Sequence, residues 1–407
     1  MYTRLREGGP ALLAASLGVW MMTFLGLYGF GWNDYATEVT PAYDALVGGH
    51  VWRFLTLAPG YGGSLELRAP FALLPGLWGG REVAVYQAVS IPCLIAAALL
   101  GAWLVGQLRA RRHSLLARAV ALGLCVANPV TLYALQDGHA EELLGAVLCV
   151  AAVLVAQRGR AGWAGLLLGL AIVNKEWALV AAGPVLLALP QRRVRCAAIA
   201  AGVSVCFYAP LMAPALLGGH GGGAVAATGS GAIFQPWQLW WFLGSHGQLV
   251  RDAFGVVKVG YRTPPGWVES IAHPLIVALA LPATLLAARR GRRDPLLLLA
   301  FLLALRCALD PWDTVYYPLP FLIALLAWEA LRFRRPPLLS LCASVAVWLV
   351  FVVAPERLGA DAQAALFALV AVPTLVALGA AVYAPATLRT PAQTRSSAVE
   401  ATPIATL

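Results

Sequence analysis

Long apolar stretches alternate with short polar gaps along almost the whole chain. A helix needs about 20 predominantly apolar residues to cross the hydrocarbon core of a bilayer. Stretches of roughly that length occur at residues 11–31, 83–108, 115–136, 139–157, 194–217, 272–289, 337–354 and 364–385. The pattern predicts an all-α polytopic integral membrane protein, a bundle of about 10–12 transmembrane or re-entrant helices.

Two further apolar segments, residues 161–191 and 294–332, are too short to cross the membrane comfortably twice at a rise of about 1.5 Å per residue. Each has polar residues near its midpoint, at 174–177 in the first and at 306–313 in the second. The two segments are predicted to form helical hairpins or short tilted helices with their polar tips at or above the middle of the membrane. Broken helices at that depth are tolerated only inside protein or beside a wet cavity.

The remaining segments complete a single transmembrane domain over residues 1–387. Residues 388–407 follow it as a disordered cytoplasmic tail rich in Thr, Ser, Pro and Ala. Two long segments are expected on the outer side, at about residues 32–82 and 218–271. The second contains an aromatic run at 234–242 that is typical of the membrane interface, and an interfacial helix is one structure it could form.

Most of the positive charges are concentrated in certain polar gaps between the apolar stretches. Twenty of the 29 Lys and Arg residues lie in seven short clusters, Arg4/Arg6, Arg109–Arg118, Arg158/Arg160, Arg192–Arg195, Arg289–Arg293, Arg332–Arg335 and Arg389/Arg395. Short cytoplasmic loops of membrane proteins retain Lys and Arg, so these clusters and both termini are predicted to face the cytoplasm. The candidate functional acids then lie at the outer face of the membrane, and a bacterial plasma membrane is the expected location.

The composition agrees with a membrane protein, because 12% of residues are charged, against about 25% in soluble globular domains. The net charge of +10 is explained by anionic lipid beside the basic loops, so no nucleic-acid partner is expected. The seven cysteines lie in or beside apolar segments without metal-ligand spacing, and are interpreted as small buried apolar residues rather than disulfides or metal ligands. No GxxxxGK[ST] or Rossmann motif is present, which disfavours a nucleotide-dependent enzyme.

Two groups of outer polar residues could perform chemistry. Asp34 directly follows the first helix, where a carboxylate can act as a general base or can be an ordinary exposed acid near a helix end. The run Gln136-Asp-Gly-His139-Ala-Glu141-Glu142 is either a functional site or a solvated turn whose acids complement the dipole of the next helix. Zinc is not expected there, because no second His or Cys ligand follows at a regular spacing.

Lys175 and Arg306 are the only Lys or Arg residues that this topology places inside the membrane. An intramembrane charge is a functional hypothesis by default. Each has an acidic neighbour, Glu176 and Asp310. Either these pairs stabilise the hairpins, or the two cations converge on an anionic group such as a lipid phosphate.

The segment from Asp310 to Pro320 contains three prolines, which interrupt regular helix. Tyr316 and Tyr317 offer stacking faces to a sugar, or else they belong to an interfacial aromatic belt. Together with Arg68 in the first outer segment, the residues Asp310, Asp313, Tyr316 and Tyr317 complete the candidate substrate-binding set.

These stretches together resemble the GT-C glycosyltransferases, and more closely the polyprenol-phosphate-sugar-dependent enzymes of glycosyltransferase family 87. The resemblance covers most of the chain at wide spacing, and each motif is weak by itself. It is carried by Asn33-Asp-Tyr35, Tyr43-Asp-Ala-Leu46, Leu67-Arg-Ala-Pro-Phe-Ala-Leu-Leu74, Gly138-His-Ala-Glu-Glu-Leu-Leu-Gly145, Gly169-Leu-Ala-Ile-Val-Asn-Lys-Glu-Trp177, Asp310-Pro-Trp-Asp-Thr-Val-Tyr-Tyr317 and Pro320-Phe-Leu-Ile-Ala-Leu325.

The resemblance implies inverting transfer of a sugar, mannose above all, from a polyprenyl-phosphate donor to a lipid or cell-envelope glycan acceptor. The acidic base of the family maps onto Asp34. Such a reaction requires no cofactor, and the sequence does not indicate a divalent cation. From their positions, Lys175, Arg306 and His139 are expected to stabilise the charge that develops on the phosphate. The chain departs from better-known members at Pro318, where a polar residue or His can occur, and this leaves the acceptor open.

Two other classes of protein remain as alternatives. A polytopic transporter or lipid flippase would also have broken helices with charged tips near the midplane, but its polar residues would be expected to reach both faces. A non-catalytic scaffold would make Asp34 dispensable. The expected partners are membrane lipids and the two lipid-linked substrates, and the sequence leaves the oligomeric state open.

Overall fold

The computed structural model describes residues 2–28, 35–59, 61–78, 82–217, 234–246, 250–251, 257–291 and 294–383. The α-helices in these ranges are α1 (Tyr2–Tyr28), α2 (Thr40–Val47), α3 (Val51–Leu57), α4 (Gly62–Ala72), α5 (Glu82–Ala110), α6 (Leu115–Val126), α7 (Pro129–Gln136), α8 (Ala140–Gln157), α9 (Ala161–Asn174), α10 (Ala182–Ala188), α11 (Arg193–Leu216), α12 (Gly266–Arg289), α13 (Pro295–Leu309), α14 (Leu319–Arg332), α15 (Leu338–Trp348) and α16 (Ala360–Tyr383).

Short 3-10 helices occur at Leu74–Trp78, Glu176–Ala181 and Trp241–Leu243. Short π-helical segments occur at Tyr35–Val39 and Leu349–Val353. The described strands are the two-residue pieces β1 (Ser245–His246), β2 (Val250–Arg251), β3 (Val257–Lys258) and β4 (Arg262–Thr263). The pairs β1–β4 and β2–β3 are antiparallel.

The prediction of an all-α polytopic membrane protein is confirmed. Among the described residues, seven helices are long and apolar enough to cross a membrane, at Gly9–Gly26, Val83–Ala110, Leu115–Gln136, Ala140–Gln157, Arg193–Leu216, Ser270–Arg289 and Ala360–Tyr383. The stretch predicted as a full span at 337–354 is instead one of the shorter apolar helices, Leu338–Val353. Pro336 and Pro337 precede it and a turn at 354–358 follows it, which limits its length.

The span at 115–136 is broken into α6 and α7 by a local sequence signal. The Asn128 side chain accepts a hydrogen bond from the Val130 amide at 3.0 Å and caps α7. Pro129 then occupies the first helical position, where a missing N–H costs nothing. The stretch therefore forms two consecutive shorter helices, Leu115–Val126 and Pro129–Gln136.

Both hairpins are present, and each returns to the end from which it started. In the first, a Cβ built on Gly159 would lie 4.0 Å from Cγ of Pro190, so the residues before α9 and after α10 are adjacent. In the second, the Trp328 indole near the end of α14 donates to Asp294, which precedes α13, at 2.8 Å. The tips of both hairpins therefore lie at the opposite end of the bundle.

The basic loops are gathered at the end where the hairpins begin. Arg111 donates to the carbonyl of Leu331. Arg158 lies over the Trp103 ring at 5.0 Å, and Arg290 donates to the carbonyl of Tyr383 at 2.9 Å. We call this the basic end of the bundle, and the end with the hairpin tips the opposite end.

Packing leaves the outside of the bundle apolar. The main buried cluster runs through α5, α6, α8, α9, α13 and α14. By contrast, Leu281, Leu369 and Val376 on α12 and α16 are exposed by 64%, 71% and 66%. Exposed leucine and valine on long helices are the surface expected where lipid chains cover the protein. Of the seven free cysteines, five are buried, whereas Cys206 and Cys342 are exposed on α11 and α15, so the interpretation as buried residues is wrong for these two.

Residues 35–78, predicted only as a long segment between membrane helices, fold into α2, α3 and α4. These helices share a small core that includes Tyr35, Tyr43, Phe54 and Tyr86. The aromatic run at 234–242 is not an interfacial helix, since it forms turns and one short 3-10 turn. Its backbone is hydrogen-bonded elsewhere: Gln235 donates to the Pro311 carbonyl at 3.0 Å and Leu239 to the Ala308 carbonyl at 2.8 Å.

Candidate functional site

Charged side chains from distant parts of the sequence meet at the opposite end of the bundle. α4, α8 and the tips of both hairpins supply them, and they are almost entirely buried. We call this set the polar cluster, and it consists of Arg68, His139, Glu141, Glu142, Lys175, Arg306, Asp310 and Asp313.

Glu141 is the centre of one half of the polar cluster. One carboxylate oxygen lies 3.2 Å from Nη2 of Arg68, and the other lies 2.7 Å from Nδ1 of His139 and 3.5 Å from Nζ of Lys175. Burial by itself lowers the pKa of Arg68, but Tyr43 and Glu141 raise it and the net shift is upward. Arg68 is therefore a permanent cation, and Glu141 connects α4, α8 and the first hairpin.

Glu142 connects the two hairpins. Its Oε1 lies 3.3 Å from Nζ of Lys175 and accepts a hydrogen bond from the Trp177 indole at 3.3 Å. Its Oε2 lies 3.8 Å from Nη1 of Arg306. Arg306 also stacks over Trp177 at 4.8 Å and over Tyr317 at 4.4 Å. The sequence places Lys175 and Arg306 at two hairpin tips, and the structure brings both to one glutamate.

The loop between α13 and α14 adds two carboxylates with different surroundings. Asp310 accepts hydrogen bonds from the Trp312 amide at 3.0 Å and from His273 at 3.2 Å, and lies 3.9 Å from Nε of Arg306. Asp313 is fully buried, and among the described residues neither of its carboxylate oxygens has a hydrogen-bond partner. A buried carboxylate without such partners is costly, so it marks a position where a proton or a ligand is expected.

Aromatic rings line the polar cluster. The Tyr316 ring lies 4.3 Å from the His139 ring and 5.4 Å from Tyr317. Tyr61 lies under Nζ of Lys175 at 4.3 Å and donates a hydrogen bond to Glu38. Aromatic faces beside polar groups suit a ligand that has apolar ring faces and many hydroxyls, such as a sugar.

The turn before α8 is packed tightly against the helical turn that begins at Tyr35. Gly138 has φ +89°, and a Cβ on it would lie 2.5 Å from Cβ of Tyr35. Only glycine fits such a close approach with a positive φ. Tyr35, the residue that follows Asp34 in the sequence, thus lies against the turn that carries His139. Asp34 itself lies outside the described residues.

Contacts between side chains bring together the other sequence-predicted residues except Asp313: Arg68, His139, Glu141, Lys175, Arg306, Asp310, Tyr316 and Tyr317. Asp313 lies next to this set through its backbone amide, which donates to the Asp310 carbonyl at 3.2 Å. Sequence reasoning missed His273 and Tyr61. His273 is a lone histidine at the start of an apolar helix, and no spacing links it to Asp310. Tyr61 lies between α3 and α4, and neither helix was predicted.

The charges of the polar cluster are nearly balanced. The polar cluster contains three cations, Arg68, Lys175 and Arg306, and four carboxylates. Three of the carboxylates, Glu141, Glu142 and Asp310, lie within 4 Å of a cation. Each cation already has at least one carboxylate within 4 Å. Among the described residues, the cation nitrogens that lack a hydrogen-bond partner, Nη1 of Arg68 and Nε of Arg306, are buried. An incoming anion must therefore reach these buried nitrogens, find a further positive group or displace a carboxylate.

In comparisons with known proteins, neither the models of protein families nor the curated proteins matched this chain. The fold and the composition alone define its class, an all-α polytopic membrane protein.

Proposed function

We propose that the chain is an inverting membrane glycosyltransferase that moves a sugar, with mannose the first candidate, from a polyprenyl-phosphate donor to a lipid or cell-envelope glycan acceptor. One observation carries the proposal. Ionisable side chains from α4, α8 and two broken hairpins are buried together at one end of the bundle, beside tyrosine and tryptophan rings. A purely structural bundle has cheaper apolar solutions at these positions, because buried charges bear a large desolvation cost.

In this proposal, the orientation of the protein in the membrane is inferred from the basic end. Loops that carry Lys and Arg remain in the cytoplasm, so the opposite end, with the polar cluster, is assigned to the outer face of the plasma membrane. No nucleotide is expected there, whereas a sugar carried on a lipid phosphate is available within the bilayer itself.

In the proposed reaction, Asp34 removes the proton from an acceptor hydroxyl. The hydroxyl oxygen forms a bond to the anomeric carbon from the face opposite the phosphate. The bond between that carbon and the phosphate oxygen breaks, and its electron pair leaves with polyprenyl phosphate. Preorganised cations at the leaving oxygens lower the barrier of such a step, and Lys175, Arg306 and His139 are assigned that role. Tyr316 and Tyr317 are assigned to the sugar.

Sugar transfer by the full chain in nanodiscs tests the proposal directly. The donor is radiolabelled polyprenyl-phosphate-mannose, the acceptor is a total-lipid pool, and the variants are Asp34→Asn and Asp44→Asn. Asp44 is the matched control, because it is an exposed acid on α2 of the same outer segment. Transfer that is lost in Asp34→Asn and retained in Asp44→Asn supports both the reaction and the base.

Two other results have distinct meanings. Transfer that survives Asp34→Asn retains the enzyme and moves the base to Glu141 or Asp313. No transfer with mannose, glucose or arabinose donors overturns the proposal. Movement of labelled polyprenyl phosphate across liposomes by the same preparation would then establish the flippase alternative.

A further inference from the structure

His273 occupies a distinctive position between the polar cluster and the lipid-facing surface. Its side chain is 39% exposed, whereas Asp310, to which its Nε2 is hydrogen-bonded at 3.2 Å, is 6% exposed. Among the polar-cluster side chains, His139, Lys175 and Arg306 are at most 10% exposed. The histidine is thus the part of this network that can be reached from outside the bundle.

The imidazole of His273 is held in one orientation. Asp310, which fixes Nε2, is itself fixed by the Trp312 amide at 3.0 Å and by Arg306 at 3.9 Å. The Trp312 ring stands edge-on to the imidazole at 4.7 Å. Nδ1 makes no hydrogen bond among the described residues. In the imidazolium form Nδ1 carries a proton that can be donated to an anion.

An apolar stripe runs along α12 directly below His273. Val277, Leu281 and Leu285 follow at intervals of four residues, and they are exposed by 37%, 64% and 48%. Residues four apart lie on one face of a helix, each about one turn from the next. This face therefore carries one imidazole at its outer end and branched apolar side chains along the rest of its length.

We propose that His273 binds the phosphate of a polyprenyl phosphate whose isoprenoid chain lies along the Val277–Leu281–Leu285 stripe. The inference rests on the proposed function, since it identifies where that reaction's lipid donor and its phosphate product are bound. It also supplies a positive group for the phosphate, which the nearly balanced charges of the polar cluster do not provide. The cations inside already have carboxylate counterions, and their unpaired nitrogens, Nη1 of Arg68 and Nε of Arg306, are buried. Nδ1 of His273 is an unpaired nitrogen on a side chain that is 39% exposed.

The chemistry of the site combines a charge-assisted hydrogen bond with burial of apolar surface. Phosphate oxygens accept strong hydrogen bonds from a charged nitrogen, and the isoprenoid chain gains contact area along the stripe. Free phosphate has only the first of these contributions and a polyprenol only the second. A polyprenyl monophosphate should therefore bind more tightly than either compound alone.

Equilibrium binding to the full chain in nanodiscs tests the inference, with a labelled polyprenyl monophosphate, the matching polyprenol and inorganic phosphate as probes. His273→Gln retains a side-chain donor for Asp310 and loses the positive charge. His50→Gln is the control, because His50 is an exposed histidine before α3 without a side-chain capping bond. We expect binding of the monophosphate to weaken about tenfold in His273→Gln, binding of the polyprenol to change less than about twofold, and His50→Gln to match the wild type.

The outcomes separate this inference from the proposed function. If His273→Gln binds the monophosphate as tightly as the wild type does, the inference is overturned and the glycosyltransferase proposal is unaffected. If inorganic phosphate and the monophosphate bind with equal affinity, the isoprenoid chain does not contribute to binding, and a lipid ligand is excluded. No binding of the monophosphate by the wild type overturns both. In sugar transfer, a phosphate-binding role predicts a higher KM for the donor in His273→Gln with kcat and acceptor KM retained, whereas a merely structural role would lower kcat and thermal stability together.

Discussion

Arg68 and Glu141, which are 73 residues apart in the sequence, form an ion pair of 3.2 Å in which the two side chains are 2% and 1% exposed. The pair ties α4, in the segment between α1 and α5, to the first turn of α8 in the bundle. Nε and Nη2 of Arg68 are also bonded to Ser64, so the guanidinium is fixed on its own helix. Through Arg68, the segment between α1 and α5 contributes to the polar cluster.

Removing one member of this pair should be more harmful than removing both. A buried charge without its counterion costs about 3–5 kcal/mol, and neutralising both members avoids that cost. We expect Arg68→Gln and Glu141→Gln each to lower thermal stability strongly, and the double variant to recover part of the loss. Melting curves of the four proteins in one detergent give the coupling. Simple additivity of the two losses would contradict the pairing.

A second ion pair attaches the aromatic segment to α16. Arg262 binds Asp361 through two nitrogens at 2.8 and 3.0 Å, and the Trp241 indole donates to the same carboxylate at 2.8 Å. Asp361→Asn should weaken this attachment by about 1 kcal/mol, as is usual for a partly exposed pair. We expect faster proteolysis between residues 241 and 263, and unchanged rates in the exposed control Glu356→Gln. Equal rates in wild type and Asp361→Asn would show that the pair does not hold the segment.

At the basic end, Glu329 of α14 caps α15 from a neighbouring helix. Its two oxygens accept hydrogen bonds from the Leu339 amide at 3.0 Å and from the amide and hydroxyl of Ser340 at 2.8 and 2.9 Å. Because the glutamate is fully buried, Glu329→Ala leaves these donors unpaired and should cost about 2–3 kcal/mol. Ser340→Ala removes only the hydroxyl and should cost about 1 kcal/mol. Chemical denaturation of both variants checks the order of the two losses.

Glu66 on α4 should make stability depend on pH. Burial raises the pKa of Glu66 from 4.5 to about 7. Since the folded pKa is above the unfolded one, the folded state binds the proton more tightly, and stability is lost as pH rises from about 4.5 through 7. Glu66→Gln should flatten this part of the profile and should be more stable than the wild type above pH 7. Melting temperatures from pH 4.5 to 8 test this, with Asp44→Asn as the exposed control. An identical pH profile in Glu66→Gln would exclude this residue.

The class of fold can be predicted from the sequence, because the length of an apolar stretch and the charge of the loops beside it are properties of whole segments and do not depend on single residues. For residues 161–191 and 294–332, short length between two basic clusters predicts helical hairpins or short tilted helices, and the closeness of Gly159 to Pro190 agrees with a hairpin. A chain that cannot cross twice must return to the same end. The aromatic run at 234–242 was misjudged because belt residues have no required secondary structure, and its backbone bonds to Pro311 and Ala308 arise only from tertiary contact.

Much of the candidate site was also visible in the sequence, since a charge inside an apolar hairpin is conspicuous. Lys175 and Arg306 were found in that way. Their shared contact with Glu142 was not, because their acidic neighbours in sequence, Glu176 and Asp310, looked like sufficient counterions. His273 shows the limit most clearly. Its dyad with Asp310 joins positions 37 residues apart, and no local pattern encodes such a pairing.

Cysteine labelling in intact cells tests the orientation on which the proposed reaction depends. Cys206 and Cys342 are exposed and should first be replaced by Ala, while the other five native cysteines are buried. Trp52→Cys on α3 should react with a membrane-impermeant maleimide from outside, and Arg160→Cys at the basic end only after lysis. Labelling of both after lysis is the control for reactivity. The reverse pattern would place the polar cluster on the cytoplasmic side, where nucleotide sugars are available, and would remove the reason to assign a lipid-carried donor.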